Sequence, residues 1–329
     1  MHKFASDAPS STIDLSTAMD IAMPIFVLID PMLGEPLPHM LAAADSTHAA
    51  REVGWQRSIT AVPLAANVSL PSHQHPYLVA LTGPDDELLA HTMMLAQNER
   101  LAAQKDGLDG HGGNPHRIGG WIQTSMHVGQ LAEQLSSMFQ VNTVAITHAR
   151  YMRQIDRRVL SLLRHVVGDA RLSAQFGRLH SWTYVDVLGT LTVLRSANDE
   201  AIPLRLSSAE WAMMESGELI HRAIAQWLGE TARAGEPATA IALEKIIPNF
   251  LFALSGARQA ARKWPQRFAG TADLTACTAL SILHPNMFDS NAVARFMDLA
   301  PGSDDVPDLL RYLHPDLKSL ITNPHAQLQ

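Results

Sequence analysis

The chain has 329 residues, long enough for two domains and for burial of ~75% of its unfolded surface. Its net charge of −7, from 25 Lys and Arg against 32 Asp and Glu, lacks the basic surplus of a general nucleic-acid binder. A single cysteine, Cys277, rules out an internal disulfide and suits a reducing compartment.

Met1–Asp7 lacks a basic start followed by an apolar core, so no secretory signal is expected. No apolar run approaches the ~20 residues that span a bilayer. The expectation is a cytoplasmic protein, monomeric when free, with no membrane and no nucleic-acid partner.

Residues 1–20 are polar around Pro9 and Ser10–Thr12 and read as a mobile tail. From there to residue 204, strands and helices alternate, which predicts an α/β domain with a mixed sheet and flanking helices. Ile25–Ile29 is a buried strand ending in Asp30. An apolar stripe then starts at Leu33, Leu37, Met40 and Leu41, with any helix confined to the segment after Pro36 and Pro38. Tyr77–Leu81 is a second strand, ended by Gly83-Pro84, and Asp85–Leu95 a helix with acids in its first turn. Between Asn98 and Ile118, four glycines and Pro115 within Gly107–Pro115 break regular structure, and the span is expected to be a surface insertion. Ser125 is the expected cap of a helix with the stripe Val128, Leu131, Leu135 and Met138. Trp182–Val187 and Leu191–Leu194 flank a turn and predict a hairpin.

The β-branched run Val141–Thr147 reads as a strand that hands over to an amphipathic helix with the stripe Val159, Leu160, Leu163, Val166 and Val167, stopped by Gly168. Asp156 falls at the N-cap, with Arg153 and Arg158 close enough to pair with it or with a partner's acid. The default is a corner that holds the fold together; the other reading is a contact site.

From Leu206 the texture changes. Ser207 and Glu210 form a capping box and Leu206 can staple onto Trp211, opening a helix through Met213, Gly217, Ile220, Ile224 and Trp227. Further helical patterns cover Ile241–Ile247, Phe250–Trp264, Leu274–Leu283, Ala292–Leu299 and Val306–Leu320, divided by Pro248, Pro265, Pro285, Pro301 and Pro315. Residues 205–329 therefore read as an all-helical lobe.

Signatures of chemistry are sparse. No P-loop, dinucleotide fingerprint, nucleophile elbow or H-E-x-x-H is present, and neither a catalytic residue, a cofactor nor a metal is predicted. His73, His75, His111 and His116 read as solvent-facing loop residues, His165 and His221 as boundary residues, and Cys277 as core. Paired methionines, Met93-Met94 and Met213-Met214, put at least one side chain off the main stripe. Asp30 is the one residue that favours an enzyme, because α/β active sites gather at the carboxyl ends of strands.

The segment Arg153–Leu160 resembles the R-F-Y-D-P-R-V-L signature of the type VI secretion adaptors, the Tap/TEC effector chaperones encoded beside VgrG spike proteins. Arg153, Asp156, Arg158, Val159 and Leu160 match it, whereas Gln154, Ile155 and Arg157 depart. Ile25–Asp30 resembles that family's opening strand, Pro76-Tyr77-Leu78-Val79 its P-Y-L-V, and Gly120–Ser125 its G-I-x-L-x-S. Gln175-Phe176-Gly177-Arg178-Leu179 with Trp182 is similar to its F-F-G-P-I-x-x-W, with arginine in place of proline at 178. The resemblance implies a non-catalytic chaperone that binds a toxin effector and helps load it onto VgrG. It offers Asp30, Pro76, Tyr77, Arg153, Asp156, Arg158, Phe176, Gly177 and Trp182 as motif and candidate partner-binding residues. The alternative is an α/β enzyme with Asp30 in a strand-end cleft.

Overall fold

Five consecutive apolar residues without polar alternation need cover on both faces, and Ile25–Ile29 forms a strand, β1, with every residue buried. The computed structural model describes residues 19–20, 22–37, 48–106, 116–144, 146–187, 189–233, 243–268 and 270–283. Residues 1–18 of the expected tail, the stripe at Met40 and Leu41, residues 107–115 of the expected insertion and the helices after Leu283 lie outside them. Met19 and Asp20, counted in the tail, are instead tied to the fold, Met19 buried and Asp20 N donating to Gln123 Oε1 at 3.0 Å.

After β1 come β2 (Ile59–Ala61), β3 (Tyr77–Leu81), β4 (Ile118–Thr124), β5 (Gln140–Thr143), β6 (Ile146–Tyr151), β7 (Leu179–Val185), β8 (Leu191–Arg195) and β9 (Arg205–Leu206). The helices are α1 (His48–Trp55), α2 (Glu87–Asp106), α3 (Val128–Met138), α4 (Arg157–Val167), α5 (Asp169–Ala174), α6 (Ser208–Glu215), α7 (Gly217–Arg233), α8 (Leu243–Lys263) and α9 (Thr271–Leu283). The main sheet has six strands in the order β2-β3-β1-β4-β7-β8, antiparallel at every pairing. Among the described residues, parallel pairing occurs only between β5 and β9, in a small sheet with β6. The fold is thus α/β around an antiparallel sheet, because β1 inserts between β3 and β4 rather than continuing a parallel series.

Side-chain alternation along β1 divides the core. Ile25, Val27 and Ile29 pack with Trp55 of α1 and with Leu89, Met93 and Ala96 of α2. Phe26 and Leu28 pack on the other face with Leu131 and Leu135 of α3, Leu160 and Leu163 of α4, and Trp182. Helix α4 serves a third cluster as well: Leu162 meets Ile220, Ile224 and Trp227 of α7 and Phe250 of α8. It is the joint between the sheet and the helices that follow.

Close approach explains one glycine. At Gly120 (φ +134) a Cβ would lie 2.4 Å from Thr183 O and 2.7 Å from Trp182 Nε1, so only glycine lets β4 and β7 meet there. The Trp182 indole donates to Gly119 O at 3.2 Å. The β1–β4 register shifts between Leu28 and Ile29, a bulge that delivers Asp30 to the end of the sheet.

Several sequence expectations need correction. The run Val141–Thr147 is not one strand: the chain reverses after Thr143, and β5 and β6 pair antiparallel. The α3 cap is His127, whose Nδ1 accepts from Gly129 N at 3.3 Å, not Ser125. The helix expected through Met213 and Trp227 breaks at Ser216 into α6 and α7, and Ser216 Oγ donates to Ala212 O at 2.8 Å. Helix α8 runs straight through Pro248. Proline there forfeits one backbone bond, while Ile246, Ile247, Phe250 and Leu254 stay on the buried stripe. Helix α2 continues past Leu95 to Asp106, so residues 98–106 of the expected insertion are helix rather than loop. The β7–β8 hairpin forms with Val185 opposite Leu191, and the Ser207–Glu210 capping box is complete.

Candidate functional site

Asp156 caps α4, its carboxylate accepting from Arg158 N at 3.0 Å. The Arg158 guanidinium folds back onto the same carboxylate, with Nε 3.0 Å from Oδ1 and Nη2 2.7 Å from Oδ2. Arg153, just before the helix, turns the other way: its Nε donates to Asp30 Oδ2 at 2.6 Å, bridging 123 positions of sequence, and its Nη1 lies 4.0 Å from Asp156. Asp30 also caps the short Pro31–Leu33 turn by accepting from Met32 N at 3.1 Å. Two carboxylates and two guanidiniums, drawn from the end of β1 and the start of α4, thus form one ion-paired corner.

The two acids sit in different fields. Burial alone would raise the Asp156 carboxyl, but hydrogen bonds from Arg158 and the charges of Arg158 and Arg153 hold it well below the usual carboxylate range. Asp30, only 1% exposed, is pushed up to about 6 by burial, with Arg153 pulling it partway back. Of its oxygens, Oδ1 receives Met32 N and Oδ2 receives Arg153.

The corner is one wall of a cavity of about 490 Å³. Its other wall comes from α6 and α7, through Trp211, Met214, Glu215, Glu218, His221 and Arg222, and Met152, Val159 and Leu162 add apolar surface. The indole of Trp211 donates to Glu215 Oε1 at 2.6 Å and lies under the Arg150 guanidinium, 5.1 Å from the ring centre. His221 is buried against the helix start, its ring Nε2 3.0 Å from Arg158 O. Burial, reinforced by the Arg158 charge, lowers its pKa to about 4, so the ring is neutral at physiological pH.

The remaining motif residues lie elsewhere, inside the fold. Tyr77 on β3 donates to Glu35 Oε2 at 2.7 Å and accepts from Trp55 Nε1 at 3.0 Å. Arg51 stacks 4.5 Å from its ring centre, pairs with Glu35 at 2.6 Å and donates to His73 O. Pro76 is buried, its carbonyl accepting from Val62 N at 2.7 Å. Phe176 and Trp182 pack with ring centres 6.3 Å apart. Gly177 has φ +53, and a Cβ there would come 2.8 Å from Ala201 N, so the position suits glycine. These five residues touch one another or the core, not the cavity.

Arg157, where the resembling signature has proline, is completely buried. Its Nη1 donates to Val185 O at 3.0 Å and to Ala96 O at 3.3 Å, and its Nη2 to Glu99 Oε2 at 2.9 Å. Glu99 Oε1 receives Arg117 N at 3.1 Å and Arg117 Nε at 3.0 Å. The sequence reading missed Glu99, because it ended the helix at Leu95 and placed residue 99 in the expected insertion, whereas α2 carries it inward. His116 corrects another expectation. It is buried rather than solvent-facing, at φ +76, and burial together with the Arg157 charge lowers its pKa well below 6.5. His75 is half-buried, its Nε2 3.0 Å from Leu70 O, while His73 is exposed. Cys277 is core, its thiol pushed up by burial. The methionine pairs split as expected: Met93 and Met214 face inward, Met94 and Met213 outward.

Among the described residues no three His, Cys, Asp or Glu side chains converge as a metal site, and no helix is long and apolar enough to cross a membrane. Compared with known proteins, the chain matches no family model, no curated protein and no solved structure.

Proposed function

We propose that this chain is a cytoplasmic adaptor that holds a toxin effector and helps load it onto the VgrG spike of a type VI secretion apparatus, by binding rather than by catalysis. The observation that carries the reading is the meeting of Asp30, Arg153, Asp156 and Arg158. These residues, part of the resemblance to effector adaptors, share one corner, and three of them line the cavity at the joint between sheet and helices. A cavity with apolar floor and charged rim suits a protein segment.

In this reading the sheet-bearing part of the chain, through β9 rather than ending at residue 204, forms the common scaffold, and the helices from Ser207 onward form a lobe that selects the cargo. Transfer to the spike requires modest affinity, so a shallow cleft serves better than a closed core. Co-expression of the full chain with the toxin encoded beside it, followed by affinity capture and addition of VgrG, tests the proposal. The expected result is a one-to-one complex that also captures VgrG. Failure to retain any neighbouring toxin, with turnover of a small substrate, would replace the adaptor by the enzyme with Asp30 in its cleft.

A further inference from the structure

The cavity beside α4 carries more information than its size. Each carboxylate in its wall is already engaged. Asp156 accepts from Arg158 through both oxygens. Glu215 accepts from the Trp211 indole and lies 3.7 Å from Arg150. Glu218 pairs with Arg222 at 2.7 Å.

The guanidiniums are less fully used. Arg153 spends Nε on Asp30, and its Nη2 is buried with no hydrogen-bond partner among the described residues. Arg158 spends Nε and Nη2 on Asp156. Both side chains are about one-fifth exposed, at 19% and 23%. The wall therefore offers more donors than acceptors, and a buried donor without an acceptor carries a desolvation cost of about 1–3 kcal/mol. Beside these donors lies apolar surface from Met152, Val159, Leu162, Trp211 and Met214.

We infer that the cavity takes a segment of a partner polypeptide in which an acidic side chain stands next to one or two large apolar side chains. The apolar groups cover Trp211 and Met214, and the carboxylate meets the Arg153 guanidinium, which swings on its Nε bond to Asp30. A guanidinium–carboxylate contact of this kind supplies direction as well as attraction, and the apolar anchors supply most of the affinity. A basic segment is refused because every acid in the wall is already paired and the nearest unspent groups are cations.

The inference rests on the adaptor reading for the origin of the segment but not for its chemistry, and the test keeps the two apart. The probes are three blocked peptides, acetyl-Ala-Glu-Leu-Leu-Ala-Trp-amide and its Gln and Lys counterparts, titrated calorimetrically into the full-length protein. The Glu peptide is expected to bind at least tenfold more tightly than the Gln peptide, more tightly still than the Lys peptide, and less tightly at high salt. Arg153→Gln should erase the Glu-over-Gln preference, and Met214→Lys should weaken all three peptides. Should a variant fold poorly, photo-crosslinking of a benzophenone-bearing Glu peptide to the unaltered protein locates the site, expected at Tyr151–Val159 or Trp211–Arg222. Equal binding of the three peptides, no measurable binding, or crosslinks confined to other segments would overturn the inference. A captured toxin alongside any of those results would leave the adaptor standing with its cargo site elsewhere.

Discussion

Two arginine networks leave the same helix start in opposite directions, and they differ in closure. Arg157 points into the fold, where Glu99, Ala96 O and Val185 O surround it. Arg153 and Arg158, on either side of it in sequence, point to the cavity and share Asp30 and Asp156. The first network is buried at Arg157 and Glu99 and joins α2 and α4 to the end of β7 and, through Arg117, to the start of β4. The second is held on its inner side and open on its outer side. A closed network can serve only the fold, whereas an open one can also serve a partner. Arginine in place of the signature's proline at 157 thus adds an internal tie.

The largest effect is expected at Arg157, in the inner network. Arg157→Met takes the Nη2 donor from the buried Glu99 carboxylate, leaving it to Arg117 alone, and removes a wholly buried side chain, so it should lower stability by about 3 kcal/mol, measured by denaturant unfolding. Adding Glu99→Gln should recover part of that loss, since the charge is then gone. No change in the midpoint for Arg157→Met would show that the inner network is not a tie at all.

Asp156→Ala comes next, at about 2 kcal/mol: ~1 kcal/mol for the lost cap, the remainder from leaving the Arg158 guanidinium without its carboxylate. Binding of a partner should fall because Arg158 is no longer held in place. Thermal and binding measurements on the same variant separate the two effects.

The pH dependence sharpens the contrast further. Asp156, lowered in the fold, contributes stability that is present above its unfolded value of 3.8 and is lost as pH falls below it. Asp30 has the opposite sign: raised from 3.8 to about 6, it contributes stability that is full below 3.8 and is lost as pH rises through 6. His221, lowered from 6.5 to about 4, contributes stability that is full above 6.5 and declines towards pH 4. Between pH 4 and 6.5 Asp30 and His221 therefore oppose each other, so His221→Gln should make the protein gain relative stability as pH falls through that window. Unfolding midpoints across the range check the sign, and a profile identical to the unaltered protein would contradict it.

The smallest effect is expected at the neighbouring methionines. Met213 is 43% exposed, and Met213→Ser should change stability by under ~0.5 kcal/mol. Met214 lines the cavity, so Met214→Ser should change partner binding more than Met213→Ser does.

Local signals carried much of this arrangement. The run Ile25–Ile29, the Asp156 cap and the Ser207–Glu210 box all appear in the structure as read, because each depends on contacts within a few residues. The β5–β6 hairpin was hidden because Val141–Thr147 is rich in β-branched residues and its reversal after Thr143 has no Gly or Pro to mark it. Ser125 lost the cap to His127 because a histidine nitrogen can accept from a first-turn amide as a hydroxyl oxygen can. The site was half legible. The charges at 153, 156 and 158 stood out in the chain, but Asp30 joins them only through a contact spanning 123 positions. Trp211 and Met214 complete the cavity only because α6 and α7 break at Ser216. Long-range pairing of this kind leaves no periodic trace.

In the proposed adaptor, cargo is held at the cavity rather than elsewhere on the surface. Met214→Lys places a cation on the apolar floor, at a half-buried position where the side chain can reach outward. Affinity capture of the co-expressed toxin by this variant, beside the unaltered chain and with unfolding midpoints compared, is the most direct measurement. The expected result is a midpoint within a few degrees of the unaltered chain and toxin capture reduced by at least tenfold. Undiminished capture with an unchanged midpoint would contradict it.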